Sequence, residues 1–405
     1  MILKMAWRNI WRNRRRTIIT VSAIALAVLW SSVLSSVQRG TWDHIIDNVS
    51  KFYLGYGQIH TKGFWGEQSL DLSMDPSEIL SLSDSILPTD VHLIPRLESF
   101  ALASYGLQTK GVLVLGYDPE QENQLTKLES RIINGTYANA GTEGVLIGDQ
   151  LADNLKIILE DSLVLVGQGY HGQNAVGKYI VKGILHMRNP DLNKQMVAMP
   201  LPIAQALYGT GNLITAFAIQ VPSRPRLPQI MNMLKQKLDT AKFEIMDYNE
   251  LIPELVDAAK FDTASSKIIL YVLYMLISFG LFGTIVMMTK ERNYEFGVLT
   301  AIGTEKIKLA SILWIESVLI AMGGAWVGIV LSLPMVNYLF HHPIPLSGVM
   351  AKSYERFGIE PVIYTAFNYR IFLEQAALIF IIAAMLGLYP VWKTIKLDSL
   401  KAMRS

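Results

Sequence analysis

Lys267-Ile-Ile-Leu-Tyr-Val-Leu-Tyr-Met-Leu-Ile-Ser-Phe-Gly-Leu-Phe-Gly-Thr-Ile-Val-Met-Met-Thr289 holds no acid or base after its first residue. A helix needs about 20 mostly apolar residues to cross a bilayer core, so this stretch reads as a membrane span. Three more stretches meet the same rule, 17–37, 309–336 and 371–392. Over the 405 residues the hydrophobic share is 51% and the charged share 17%, too apolar for an ordinary soluble enzyme. The segment 38–266, between the first two spans, has strand and turn character instead. The fold class read from sequence is an α-helical membrane protein with four transmembrane helices and a large mixed α/β domain.

Charge placement orients these spans. The segment 1–16 holds Lys4, Arg8, Arg12, Arg14, Arg15 and Arg16 with no acid, and the tail 393–405 holds Lys393, Lys396, Lys401 and Arg404. Lysine and arginine gather on the cytoplasmic side of short membrane connections, so both termini are assigned there. The connection 290–308 adds Lys290, Arg292, Lys306 and Lys308 on the same side, as four spans require. That places 38–266 and the loop 337–370 outside. The first span reads as an anchor and not a signal peptide: it is long for such a peptide, and three later spans would make secretion pointless.

The sum of charges decides less. Lys+Arg 36 against Asp+Glu 34 gives a net charge of +2, which removes a global electrostatic argument for nucleic acid. The absence of cysteine excludes disulfides, thiolate zinc sites and cysteine nucleophiles.

Inside 38–266, Gly111-Val-Leu-Val-Leu-Gly116, Glu143-Gly-Val-Leu-Ile-Gly148 and Ser162-Leu-Val-Leu-Val-Gly167 read as strands closed by glycine. Helical patterns cover 119–131, 149–157 and 227–238. Gly167-Gln-Gly-Tyr-His-Gly172 matches GxGxxG, and the run from Gly172 to Lys178 is one residue short of a Walker A loop. A phosphate site needs a helix N-terminus facing the anion, whereas Tyr179-Ile-Val-Lys-Gly-Ile-Leu reads as a strand, so a glycine-rich hairpin is assigned here. His341-His342 lacks nearby carboxylates and is read as a turn. No HExxH, GxSxG or distinctive carboxylate pair supports an enzyme.

The connection Lys290-Glu-Arg-Asn-Tyr-Glu-Phe-Gly-Val-Leu-Thr-Ala-Ile-Gly303-Thr-Glu-Lys-Ile-Lys308 reads as a short helix ended by Gly303 in a left-handed cap, with Thr304 as N-cap of the next span. Helical spacing groups Glu291, Glu295, Val298 and Ile302 on one side and Arg292, Phe296 and Leu299 on its neighbour, both offered outward. Such a helix either rests on lipid headgroups or docks a cytoplasmic partner. Glu316 lies within the third span, where an acid costs a few kcal/mol and either reaches the interface or pairs across helices. Gly324-Ala-Trp-Val-Gly328, with Gly323 beside it, is a small-xxx-small face that permits close helix contact and suggests pairing with another chain. Trp7 and Trp11 suit a helix in the headgroup region, as anchor or as lever.

These residues resemble the FtsX-like and MacB-like ABC transporter permeases, and within them the lipoprotein-releasing (LolC/LolE-type) branch. The opening Ala6-Trp-Arg-Asn-Ile-Trp-Arg-Asn-Arg-Arg-Arg-Thr17 looks like that family's start, and Glu291 to Gly303, including Gly297, like its coupling segment. Glu316 with the following glycines fits its third span. Tyr389-Pro-Val-Trp-Lys and Leu397-Asp-Ser-Leu-Lys-Ala-Met-Arg404 fit its ending, while Gly116-Tyr-Asp-Pro119 and Gly144 to Ala152 resemble its extracytoplasmic (periplasmic core) domain. Two positions depart: Thr300 stands where the family often has arginine, and Leu159-Glu160-Asp161 replaces a glycine-containing turn.

The resemblance implies a non-catalytic permease subunit of the bacterial inner membrane, paired with a second copy or paralogue and with two ABC ATPase subunits. ATP and magnesium would be held by those partners, and no cofactor or metal by this chain. Motion would pass through the coupling segment to a periplasmic domain that extracts lipoproteins. Efflux of peptides, antibiotics or other amphiphiles, and a scaffold that activates a cell-wall hydrolase, are the alternative roles.

Overall fold

The computed structural model describes residues 2–137, 141, 143–187, 189–356 and 360–396. The tail 397–405, with Lys401 and Arg404, lies outside the described residues. The chain divides into two compact units, one of Met1–Asp43, Ala258–Pro345 and Ile363–Ser405, the other of His44–Asp257 and Leu346–Val362. The α/β unit thus draws its main segment from 38–266 and a second one from the 337–370 loop.

The first unit is helical. Among the described residues four helices are long and apolar enough to cross a membrane, and they lie where sequence places the spans. The helices themselves are longer: Arg14–Val49, Pro253–Glu291 and Lys306–His341 continue past the apolar runs 17–37, 267–289 and 309–336 into polar turns. The fourth is not one continuous rod, as 371–392 suggests, but Tyr369–Leu386 followed by Leu388–Ile395. Pro390 explains the break at Gly387, because it lacks an N–H and its ring would clash with the carbonyl of Leu386. Trp314 fills the notch: its indole Nε1 donates to the Ala384 carbonyl at 3.1 Å, and a Cβ on Gly387 would lie 2.9 Å from its ring.

All four long helices share one apolar core, with Ile24 and Val28 from the first, Tyr274, Leu281 and Ile285 from the second, Ala321 and Ala325 from the third, and Ile379 and Ala383 from the fourth. Outward they present Ile18, Ile19, Leu26, Trp30, Met275, Phe279, Trp326, Leu373 and Phe380. A soluble bundle would cover such residues with polar side chains. Here they suit lipid.

The second unit is built on a ten-stranded mixed sheet: β1 (Gly57–Thr61), β2 (His92–Tyr105), β3 (Gln108–Tyr117), β4 (Ile132–Gly135), β5 (Val145–Gly148), β6 (Ser162–Gln168), β7 (Asn174–Leu185), β8 (Met196–Pro200), β9 (Ala216–Gln220) and β10 (Phe243–Asp247). The order is β10-β1-β9-β2-β3-β8-β5-β7-β4, with β6 pairing β2 and β7; β3–β8 and β5–β7 are parallel and the other pairs antiparallel. The runs 111–116 and 162–167 fall within β3 and β6, and the run 143–148 begins two residues before β5. Of the helical patterns, 149–157 is Asp149–Leu155 and 227–238 is Leu227–Lys237. The pattern 119–131 splits into Pro119–Thr126 and a 3-10 turn Leu128–Arg131, because Lys127 adopts a left-handed conformation at φ 51°.

The glycine-rich run is the tip of the β6–β7 hairpin. Gly169 N–H donates to the Gln173 carbonyl at 2.6 Å, and a strand follows the loop in place of the helix that a phosphate loop requires. Glu160 takes a left-handed φ of 65° in the turn where the resemblance leads one to expect glycine, and Lys182 holds its carboxylate at 2.9 Å.

Arg96 and His60 are buried side chains of basic type that bear on the stability of this unit. Arg96 on β2 is fully buried and pairs with Glu122 at 2.7 and 2.9 Å, while also donating to the Tyr53 carbonyl. Burial alone would push its pKa down, but Glu122 and Glu98 beside it hold the guanidinium above the ordinary arginine range. His60 on β1 is likewise fully buried, stacked on Phe64 and Trp65, with Nε2 2.7 Å from Gln58 Oε1.

Burial pushes the His60 pKa down to about 4. Against an ordinary value of about 6.5, an unfolded chain binds the proton first, so stability is full above pH 6.5 and falls as pH drops to 4, by about 3 kcal/mol in total. In hydrogen exchange of the amides of the strand that carries His60, measured across this pH range, His60→Asn should flatten this slope relative to the parent chain. Parallel pH curves would show that His60 is not responsible.

Candidate functional site

The second and third long helices are joined by an elbow in which two local signals act. The second helix ends at Glu291, Arg292 leaves helical geometry at φ −99°, ψ 1°, and a new helix runs Asn293–Ala301. It ends in a Schellman motif: Thr304 N–H donates to the Leu299 carbonyl at 2.9 Å and Gly303 N–H to that of Thr300 at 3.1 Å, with Gly303 at φ 99°. The N-cap of the third helix is Glu305, not Thr304. Glu305 has the extended backbone of an N-cap, φ −60° and ψ 128°, so the helix starts one residue later.

The break at Arg292 changes which side chains face out. Arg292 and Glu316 are 3% and 1% exposed and form a two-pronged pair, Nη1–Oε2 at 2.6 Å and Nη2–Oε1 at 3.0 Å. Of the two readings of Glu316, reach to the interface or pairing across helices, this geometry is the second. Phe296 and Gly297 are buried as well, with Phe296 against Leu309 and Leu313 of the third helix. The expectation that Arg292 and Phe296 project outward is therefore corrected. A continuous helical wheel drawn across the break assigns them to the wrong face.

Glu291 and Glu295 are exposed but engaged. Arg16 Nη1 meets Glu291 at 2.7 Å, Asn13 donates to the same carboxylate at 3.2 Å, and Arg12 Nη2 meets Glu295 at 3.0 and 3.1 Å. Sequence reading gave Arg12 and Arg16 only an orienting role. The missed signal is long-range complementarity between an acid-free basic segment and two acids one turn apart. Exposed pairs of this kind contribute about 0–1 kcal/mol each, so they position the elbow more than they stabilise it. The buried pair fixes its root.

What remains open is apolar. Leu299 is partly exposed, Tyr294, Ile302 and Ile307 more so, Gly303 is exposed and Val298 is half-buried. The elbow helix thus presents a few uncovered apolar knobs with charges at one margin. Thr300 Oγ1 donates to its own helix at the Phe296 carbonyl, 2.7 Å away, and offers no charge.

The glycine face of the third helix is occupied within the chain. A Cβ on Gly324 would lie 2.7 Å from Ile24 Cβ, and one on Gly328 would lie 2.6 Å from the Ala25 carbonyl oxygen, so both serve close contact with the first long helix. That corrects the expectation of a pairing surface for another copy at these two residues. Gly323 points elsewhere, with nothing within 4 Å of its Cβ position. His341 closes the third helix, its Nδ1 2.9 Å from the Asn337 carbonyl, and no group of metal-binding side chains occurs among the described residues.

Among solved structures, the chain resembles the extracellular domain of the noncanonic ABC-type transporter YknZ from Gram-positive bacteria, with 13% identity, 47% of this chain and 99% of that chain covered, and a TM-score of 0.34. It also resembles the periplasmic region of MacB from Actinobacillus actinomycetemcomitans, with 13% identity, 53% of this chain and 98% of that chain covered, and a TM-score of 0.36. Residues 267–399, which carry the elbow, the buried Arg292–Glu316 pair and the apolar runs of the last three long helices of this multi-pass membrane protein, match the family described as FtsX-like permease C-terminal.

Proposed function

We propose that the chain is the permease subunit of an ABC transporter, driven by two ATPase subunits that dock on the elbow and hold the ATP and magnesium. The observation that carries this reading is the elbow's construction: a helix rooted by a buried ion pair, with Tyr294, Leu299, Ile302 and Ile307 left uncovered. A mobile headgroup helix would not need such a root. A helix that transmits force would. The match of 267–399 to the FtsX-like permease family supports it.

Both termini are cytoplasmic in this reading, from the placement of lysine and arginine, and the α/β unit is periplasmic. The cargo is a lipoprotein drawn from the inner membrane, following the resemblance of both chain ends to the lipoprotein-releasing branch. A second permease copy or paralogue completes the complex. Amphiphile efflux and hydrolase activation remain the outcomes against which depletion is read: unaltered lipoprotein localisation would remove the cargo assignment.

Leu299→Glu tests the docking surface. Membrane insertion should persist, because the position lies outside the long apolar helices, while ATPase recovery in pull-down and transport should both fall at least tenfold. Normal recovery together with normal transport would defeat docking at this face.

A further inference from the structure

The N-terminal helix Ile2–Arg12 is strongly amphipathic, and its inner edge is taken: Ala6 and Ile10 are buried, Ile10 against Met288 of the second long helix and Ile320 of the third. Thr17 Oγ1 donates to the Ile10 carbonyl at 2.9 Å and closes the turn into the first long helix. On the outer side, Trp7 and Trp11 are more than half exposed and pack edge to face at 6.2 Å. Arg14 lies over the Trp11 ring at 5.8 Å. Lys4, Arg8, Arg14 and Arg15 are exposed, and among the described residues none has an ion-pair partner.

We infer that this outer surface is a binding site for anionic phospholipid, with the two indoles seated at the headgroup level and the four cations on the phosphates. Charge complementarity selects this occupant. The chain has no acid before Asp43, so the surface carries uncompensated positive charge directly beside a membrane-crossing helix. Indoles prefer the water–lipid boundary, and basic residues next to a span are drawn to anionic headgroups. A protein partner would need acids and would leave two tryptophans wet when absent.

The site has a consequence for the elbow. Arg12, the last residue of this helix, holds Glu295, and Arg16, in the first turn of the long helix that follows, holds Glu291. The elbow is therefore tethered to a helix whose seat depends on lipid charge. This inference rests on the four membrane helices and not on the ATPase reading, and it is tested with no ATPase present.

The chain has no cysteine, so a spin label at Met5→Cys reports on this helix alone. The full chain is placed in nanodiscs of phosphatidylcholine, with phosphatidylglycerol added stepwise, and the label's accessibility to oxygen against a water-soluble nickel chelate is measured. The label should move into the lipid as phosphatidylglycerol is added. Replacing Lys4, Arg8, Arg14 and Arg15 together by Gln should remove the response even at high phosphatidylglycerol fractions, since each basic residue near an anionic surface contributes ~1 kcal/mol, about a fivefold change in binding constant. Arg8→Lys, Arg14→Lys and Arg15→Lys together should keep the response, which a merely misfolded helix would not. Equal accessibility with and without phosphatidylglycerol would overturn the inference. So would reproduction of the shift by inorganic phosphate, or a shift seen only when ATPase is added.

Discussion

Glu316→Leu is expected to destabilise the helical unit by about 3–5 kcal/mol, the cost of leaving a buried charge without its partner. The Arg292 guanidinium would keep its position at 3% exposure but lose both of its hydrogen bonds to the carboxylate, at 2.6 and 3.0 Å. It cannot shed its proton to escape, because arginine stays charged in proteins. The elbow would have to unseat Phe296 from Leu309 and Leu313 to bring the cation to water. Limited proteolysis between Lys290 and Lys308 should then become faster as stability falls. The double variant Arg292→Met with Glu316→Leu removes both charges and should recover most of the lost stability, since a buried pair costs nearly as much to desolvate as it returns. A single variant as stable as the double would show that the two residues do not depend on each other.

The same pair shows where sequence reading stops. Gly303 was legible because a Schellman cap is local: one glycine after a helical pattern defines it. The strands of the α/β unit were legible for a similar reason, short apolar runs closed by glycine at Gly116, Gly148 and Gly167. Arg292 was not, since its direction depends on a helix break that no residue type there announces. Pro390 announces the break at Gly387 locally, but the packing of Trp314 against Gly387 and the Ala384 carbonyl joins residues of two different helices and is visible only in the fold. Arg96 and Glu122 lie on a strand and a separate helix, and nothing in their spacing foretells a fully buried contact. Composition and periodicity locate elements. Which polar side chain crosses to which element is a tertiary fact.

Gly324 and Gly328 carry the other large expectation, and it differs from what their spacing suggests. A small-xxx-small face in an apolar helix invites assignment to a contact between chains. Here a Cβ on Gly324 would also meet the Val21 carbonyl oxygen at 3.1 Å, and one on Gly328 would meet Val28 Cβ at 2.8 Å. The obstacles are backbone and β-branched side chains of the first long helix, which cannot swing away as a lysine tip could. Leucine at either position must therefore push that helix outward and open the shared core at Val28, Ala321 and Ala325. Overpacking of this kind costs about 1–3 kcal/mol per site, and two sites one turn apart on the same seam should reinforce each other. Gly323→Leu is the matched control, as its Cβ position meets nothing within 4 Å. The check is unfolding of the purified chain at a dilution where copies are apart, beside crosslinking between copies in the membrane. Gly324→Leu and Gly328→Leu should lower the stability of the separated chain while Gly323→Leu leaves it unchanged. Full stability with crosslinking lost would return the glycines to an interface between copies.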